Sequence, residues 1–154
     1  MRYLLIVSIM LMGLSAGEKK DFVRVDNKKI AVDGYDVVAY FVQKKPAKGQ
    51  KKFLVEWNGA KWLFKTKENL QLFKKTPQKY APQFGGFCAW AVGNGYTAKI
   101  DPLAWKVVDK KLYLNYNKDI QKKWQKDMRN LIKKGHENWP TLAKKHHEEK
   151  SHKK

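Results

Sequence analysis

The clearest pattern along the chain is an alternation of apolar and polar residues that predicts β-hairpins. The stretch KFLVEW (52–57) places three apolar side chains on one face, and Asn-Gly and a second apolar run, AKWLFK (60–65), follow it. Two such runs joined at Asn-Gly are the strongest short-range indication of a hairpin. The stretch LAWKVVDKKLYLNY (103–116) predicts a second hairpin, and DFVRVDNKKIAV (21–32) predicts a short one.

Helical patterns follow each of the two main hairpins. Thr66 predicts the N-cap of a helix over about 67–75, because its hydroxyl can accept a hydrogen bond from the first helical turn. Asn117 predicts the cap of a longer helix that runs to 134 and ends at Gly135. The apolar residues of this helix fall on one stripe: Ile120, Trp124, Met128, Leu131 and Ile132. The predicted fold class is α+β: a small single domain with two β-hairpins, a short helix and a longer C-terminal helix.

The N-terminal stretch MRYLLIVSIMLMGLSAG has the three parts of a secretory signal peptide: a basic start, a short apolar core and small residues at the cleavage region. Its apolar core is shorter than the roughly 20 residues that a membrane-spanning helix needs. We therefore expect a signal peptide over 1–17, an exported mature protein that is periplasmic or secreted, and no transmembrane segment after cleavage. One domain over 18–142 and a charged, disordered tail over 143–154 would follow.

The chain is strongly basic, with 33 Lys and Arg residues against 14 Asp and Glu and a formal net charge of +19. Such a charge attracts anionic partners such as envelope lipid or acidic polysaccharide. The lysines are scattered in pairs along the chain, and no recognisable nucleic-acid-binding module is present in the sequence. We therefore keep anionic envelope components as candidate partners and expect no specific nucleic-acid partner.

The chain contains one cysteine, Cys88, within the aromatic stretch YAPQFGGFCAWAV (80–92). A single cysteine excludes an intramolecular disulfide and leaves three interpretations. As a metal ligand, Cys88 would need further N, O or S ligands, for which His136 is the candidate. As a reactive thiol it would need a lowered pKa, which a helix beginning near Phe87 would favour. As a small apolar residue it would pack in the core, where free cysteine is commonly found.

The many aromatic residues can fill a core or line a ligand pocket, in which a few polar groups would orient the ligand. The candidate ligand-binding residues are Cys88, Trp90, Tyr80, Tyr96, Asp36 and Tyr40. No carboxylate pair, serine–histidine–aspartate pattern or phosphate-binding loop is recognisable, and histidine, the usual general base, is scarce. We therefore expect no enzymatic activity. No feature of the sequence requires a cofactor, and a metal ion is kept as an alternative.

Four segments, in order, resemble the exported YHS-domain proteins of bacteria: GYDVVAYF (34–41), WNGAKWLFKTKENLQLFKKTPQKYAP (57–82), GGFCAWAV (85–92) and LYLNYNKDIQKKW (112–124). The resemblance covers about 32–140. It implies that the domain over 18–142 is YHS-like and related to small cysteine-containing metal-binding modules.

The same resemblance implies a metal-binding or metal-chaperone function. That function does not transfer directly to this chain, because the chain differs at the positions of the metal-binding cysteines. The cysteines of the metal-handling relatives correspond here to Ala39, Lys65 and Asn69, and none of these is a soft metal ligand. The resemblance therefore implies that the scaffold is kept without the inherited metal site.

We expect an exported, non-catalytic YHS-domain binding or accessory protein of the cell envelope, with a metal or small ligand bound near the Cys88 aromatic segment. The alternative is a structural or interaction protein that docks to anionic envelope components through its basic surface. Binding at a site should tolerate salt, whereas surface docking should weaken as ionic strength rises.

Overall fold

The computed structural model describes residues 21–152, so the predicted signal peptide over 1–17 lies outside the described residues. Four strands form two separate antiparallel hairpins: β1 (Gln50–Trp57) with β2 (Ala60–Phe64), and β3 (Asp101–Val108) with β4 (Lys111–Asn115). Six α-helices surround them: α1 (Ala39–Val42), α2 (Lys67–Lys75), α3 (Pro77–Tyr80), α4 (Ala89–Gly93), α5 (Lys118–Lys126) and α6 (Met128–Ser151). Short 3-10 turns occupy Val32–Gly34 and Gln83–Gly86. The α+β class with two hairpins is confirmed.

Both main hairpins turn where the sequence predicts. Asn58 and Gly59 have φ angles of 50° and 71°, so both residues are left-handed, as a type I′ hairpin turn requires. Asp109 and Lys110 make the corresponding turn between β3 and β4 with φ angles of 48° and 61°. The short hairpin over 21–32 is reduced to one pair of bridging residues on either side of its turn.

The two predicted helix caps are confirmed. Thr66 Oγ1 accepts a hydrogen bond from the Asn69 N–H at 3.1 Å, and α2 occupies the predicted residues. Asn117 Oδ1 accepts one from the Ile120 N–H at 2.8 Å. These side chains satisfy backbone donors that a helix leaves unpaired at its first turn.

The predicted end of the long helix is wrong. Helix α5 stops at Lys126, because the non-helical backbone of Asp127 (φ −131°, ψ 36°) interrupts it, and α6 begins at once and continues past Gly135 to Ser151. Gly135 serves close packing instead of ending the helix, since a Cβ there would lie 2.5 Å from Phe84 Cζ. A local sequence pattern does not reveal a contact of this kind.

The structure also differs from the expected disordered tail over 143–154, because 143–151 is helical. The ring of His146 stacks between Phe22 and Phe87, with centroid distances of 5.0 and 4.8 Å. Its Nε2 lies 3.0 Å from Thr97 Oγ1. These contacts hold the end of α6 against the N-terminal segment and explain why a highly charged sequence is ordered.

The core has two parts. The larger one lies between the hairpins, α1 and α2, where the rings of Trp62, Phe64 and Phe73 are in contact. The smaller one lies where α4, β4, α5 and α6 meet, around Trp124 and Leu131. Cys88, at the start of α4, belongs to the larger part. Over residues 21–152, no helix combines the length and the apolar character needed to span a membrane.

Candidate functional site

Cys88 is buried, with only 1% of its surface exposed. Its Sγ accepts a hydrogen bond from the Tyr116 N–H at 3.2 Å, and its S–H donates to Asn115 Oδ1 at 3.7 Å. Burial raises the pKa of the Cys88 thiol, and nearby backbone N–H groups offset only part of that effect. The neutral thiol is therefore favoured over the thiolate that metal binding or nucleophilic attack requires.

The thiol also forms part of the wall of a small pocket. This pocket has a volume of about 250 Å³ and an almost entirely apolar lining: Cys88, Trp90, Ala91, Tyr96, Ala98, Tyr116 and Ile120. Two of these residues, Tyr96 and Tyr116, are 50% and 41% exposed, so solvent reaches this side of the pocket. We call this the Cys88 pocket. Cys88 thus lies at the edge of the core and faces a pocket as well.

The backbone around the Cys88 pocket is fixed by Asn115, the last residue of β4. Its side chain is fully buried, and Oδ1 accepts a hydrogen bond from the Trp90 N–H at 3.1 Å as well as from the Cys88 thiol. Its Nδ2 has no hydrogen-bond partner among the described residues. One amide oxygen therefore ties the start of α4 to β4 and sets the position of Trp90.

Three of the candidate ligand-binding residues, Cys88, Trp90 and Tyr96, are brought together in this pocket. Tyr116 and Ile120 line it as well and were not among the predicted residues. Each has a sequence indication: Tyr116 is the last residue of the predicted second hairpin, and Ile120 lies on the apolar stripe of the predicted helix. Neither pattern shows that β4 and α5 pack beside the aromatic segment.

Asp36 does not line the Cys88 pocket, and its carboxylate is fully occupied within the fold. Its Oδ1 accepts hydrogen bonds from the N–H groups of Val38 and Ala39, at 2.9 and 3.2 Å. Its Oδ2 accepts from the Lys65 N–H at 2.9 Å and from Asn69 Nδ2 at 2.7 Å. The side chain is completely buried, so these four donors compensate for its desolvation.

The three positions at which the sequence departs from cysteine meet at the Asp36 carboxylate. Ala39 and Lys65 donate their backbone N–H groups to this carboxylate, and Asn69 donates its side-chain amide. Asn69 Nδ2 lies 3.1 Å from Gln43 Oε1 as well. A network of carboxylate, amide and backbone groups therefore occupies this place. Over residues 21–152, no three or more His, Cys, Asp and Glu side chains cluster closely enough to hold a metal ion.

Tyr40 and Tyr80 also lie outside the Cys88 pocket. The Tyr40 hydroxyl donates to the Pro102 carbonyl at 2.8 Å, and burial raises the pKa of this phenol far above its ordinary value. Tyr80 is buried and makes an edge-to-face contact with Phe41, with centroids 5.4 Å apart. Tyr40 joins α1 to β3, and Tyr80 anchors α3 to α1.

The ring of Tyr40 packs 5.1 Å from that of Trp105 and forms one side of a surface groove of about 670 Å³. Four lysines line this groove, against one acidic residue, Asp109: Lys44, Lys79, Lys106 and Lys110. We call it the lysine groove. Its charge favours anionic groups.

His136, the candidate partner of Cys88, lies on α6 and faces a different pocket. Its ring is 5.1 Å from that of Phe84. Burial, and to a smaller extent the charge of Lys111, lowers the pKa of His136, which favours the neutral imidazole at pH 7. Cys88 and His136 thus line two separate pockets.

A family model for the YHS domain matches residues 38–84. A search of curated proteins and a search of solved structures returned no significant match. The matched residues include α1, the β1–β2 hairpin, α2 and α3, and with them the positions 39, 65 and 69 that meet at Asp36. The match ends before Cys88, so the pocket around that residue lies outside the matched segment. The chain is therefore a YHS-domain-containing protein.

Proposed function

We propose that this YHS-domain protein is an exported, non-catalytic binding protein of the cell envelope, and that its ligand is a small apolar molecule held in the Cys88 pocket. The observation that carries the proposal is the convergence of Cys88, Trp90, Tyr96 and Tyr116 on one apolar pocket of about 250 Å³. Binding pockets for small molecules are mostly apolar and lined by aromatic rings. The exposed rings of Tyr96 and Tyr116 would be covered by a bound ligand.

An uncharged ligand suits this pocket better than a metal ion. A metal would need the thiolate, whereas burial raises the pKa of the Cys88 thiol and its S–H already donates to Asn115. The same raised pKa argues against nucleophilic catalysis and supports a non-catalytic role. Export rests on the signal-peptide pattern of residues 1–17.

Methyl NMR on selectively labelled isoleucines tests this proposal. Ile120 lines the Cys88 pocket, whereas Ile30 pairs with Lys61 and Ile132 packs in the smaller part of the core. With indole as a small planar probe, we expect a saturable shift of the Ile120 δ1-methyl signal. The signals of Ile30 and Ile132 should not move.

Variants locate the binding. Ala98→Phe should fill the pocket and abolish the Ile120 shift without altering the thiol. Tyr96→Ala should weaken binding at little cost in stability, because this side chain is half exposed. Leu103→Ala is the matched control, since Leu103 is 46% exposed and does not line the pocket. An unchanged Ile120 shift in Ala98→Phe would refute the proposal.

Docking to anionic envelope components is the second candidate function, and the lysine groove favours it. Within residues 21–152, only Lys122 and Lys144 lie within 4 Å of a carboxylate, so most described lysines retain an uncompensated charge. Sedimentation with phosphatidylglycerol vesicles at increasing salt separates the two functions. Docking should weaken steeply with ionic strength and be unaffected by Ala98→Phe, whereas indole binding should tolerate salt and be lost in Ala98→Phe.

A further inference from the structure

A second pocket, separate from the Cys88 pocket, has a volume of about 300 Å³ and is lined by three tryptophans. Trp57 and Trp62 come from the β1–β2 hairpin, and Trp139 comes from α6. This volume is at the lower end of the range for small-molecule sites, roughly 300–1,000 Å³. We call it the tryptophan pocket. The proposed function does not involve it.

Packing fixes the three rings in place. Trp62 is buried and lies 5.7 Å from the ring of Trp57, while Trp139 lies 6.0 Å from the ring of Phe87. A Cβ on Gly85 would lie 2.9 Å from Trp139 Cη2, so this left-handed glycine, with φ of 59°, allows the ring to approach. Trp57 and Trp139 are only half-buried and therefore present apolar ring surface to the pocket.

Four neutral polar side chains line the same pocket: Asn58, Gln78, Gln83 and His136. Within the described part of the chain, none of them forms a hydrogen bond to another residue. Each amide carries donors and an acceptor, and a neutral imidazole carries one of each. The pocket therefore offers several uncommitted hydrogen-bonding groups of both kinds beside its aromatic walls.

The charge of this pocket contrasts with that of the rest of the protein. Among residues 21–152, no lysine or arginine lines it, although these residues number 33 of 154 in the full sequence, and Asp21 is the only acidic residue of that range in its lining. By comparison, four lysines line the lysine groove. The tryptophan pocket is thus not suited to an anionic ligand. It suits a neutral molecule that has both an apolar face and several hydroxyl groups.

We propose that the tryptophan pocket binds a neutral sugar ring. The C–H face of a pyranose would lie on Trp57 and Trp139, since such a face is apolar and matches an aromatic surface. Hydroxyl groups both donate and accept hydrogen bonds, as do the side chains of Asn58, Gln78 and Gln83. Phe84, which has a left-handed φ of 56°, lines the pocket too, and strained backbone of this kind is concentrated at binding sites.

The indole N–H signals of the six tryptophans provide the test. The probes are methyl β-glucopyranoside, methyl β-galactopyranoside and N-acetylglucosamine, with glucuronate as the anionic comparison. For at least one neutral sugar, the signals of Trp57 and Trp139 should shift together and saturate, while those of Trp105 and Trp124 stay in place. Glucuronate should bind more weakly. If no neutral sugar moves Trp57 and Trp139, or if glucuronate binds best, the proposal is wrong.

Two conservative variants test the hydrogen bonds. Asn58→Gly removes the amide and still permits the left-handed turn, and Gln78→Ala alters an exposed residue of α3. Each should raise the dissociation constant about fivefold, the effect of losing one net hydrogen bond. Gln71→Ala is the matched control, because Gln71 is an exposed glutamine of α2 that does not line the pocket. Affinities unchanged by both pocket variants would overturn the proposal.

Discussion

Replacing Asp36 with asparagine should destabilise the fold, although the two side chains have nearly the same shape. Oδ1 can still accept from Val38 and Ala39, so that half of the network survives. The other half then presents an NH₂ group to the Lys65 N–H and to Asn69 Nδ2, which are both donors. Donors that face each other cannot form a hydrogen bond, so the network must rearrange or lose its partners.

The cost follows from which groups can rearrange. Asn69 can rotate its amide to present oxygen, and Gln43, which is exposed, can rotate with it. The Lys65 N–H belongs to the backbone and cannot. One unsatisfied buried donor costs about 1–3 kcal/mol, and the remaining bonds lose the charge that strengthened them. We expect Asp36→Asn to lower the free energy of unfolding by about 2–3 kcal/mol, and Asp36→Ala, which removes all four acceptor contacts, by at least about 4 kcal/mol.

Urea unfolding at pH 7 measures both values. With a slope of about 2 kcal/mol per molar urea, the midpoint should fall by about 1–1.5 M for Asp36→Asn. Asp26→Asn is the matched control, because Asp26 uses a single oxygen to accept from the N–H groups of Lys28 and Ile30, and asparagine keeps that oxygen. If Asp36→Asn unfolds within about 0.5 kcal/mol of the parent, the carboxylate is not the required acceptor and the reasoning fails.

Three further predictions concern other parts of the fold. Gly135→Ala should cost about 1–3 kcal/mol in urea unfolding, because its Cβ would press on the Phe84 ring, and an unchanged midpoint would contradict this contact. Burial raises the pKa of the Cys88 thiol, so alkylation by iodoacetamide in the folded protein should still accelerate above pH 9, and an inflection below 8.5 would disprove it. Burial lowers the pKa of His146 below the value of about 6.5 expected when unfolded, so the unfolded chain takes up this proton first and stability should fall as pH drops below 6.5. His146→Phe keeps a ring between Phe22 and Phe87 and should remove this fall in stability below pH 6.5. If the profile of stability against pH is unchanged, other groups cause the fall.

Local chemistry made much of the fold predictable from sequence. The Asn58-Gly59 turn and the caps at Thr66 and Asn117 depend on a few adjacent residues, and each is found as predicted. The course of α6 depends on distant residues instead. The local sequence predicts that a helix ends at Gly135. Only the position of the Phe84 ring shows that this glycine leaves space for a packed side chain within a continuous helix.

The candidate site also contains residues that the local sequence predicts and residues that only the tertiary structure identifies. Cys88, Trp90 and Tyr96 are close in sequence and share a pocket, whereas Tyr116 reaches that pocket from the end of β4. The sequence indicates Asp36 as a polar group that could orient a ligand, but its carboxylate accepts hydrogen bonds from four donors within the fold. A polar residue within an apolar run can bind a ligand or stabilise the fold, and only its hydrogen-bond partners in the structure distinguish these two roles.

The contact between the two ends of the described chain has a consequence for how the fold can be connected. Phe22 lies 5.0 Å from the ring of His146 and 4.3 Å from Lys150 Nζ, so residues near 21 and near 151 are neighbours in space. A circular permutant could join these ends with a short linker and open at the exposed Asp109-Lys110 turn without breaking a core contact. The covalent link between β3 and β4 is therefore separable from the packing that builds both pockets.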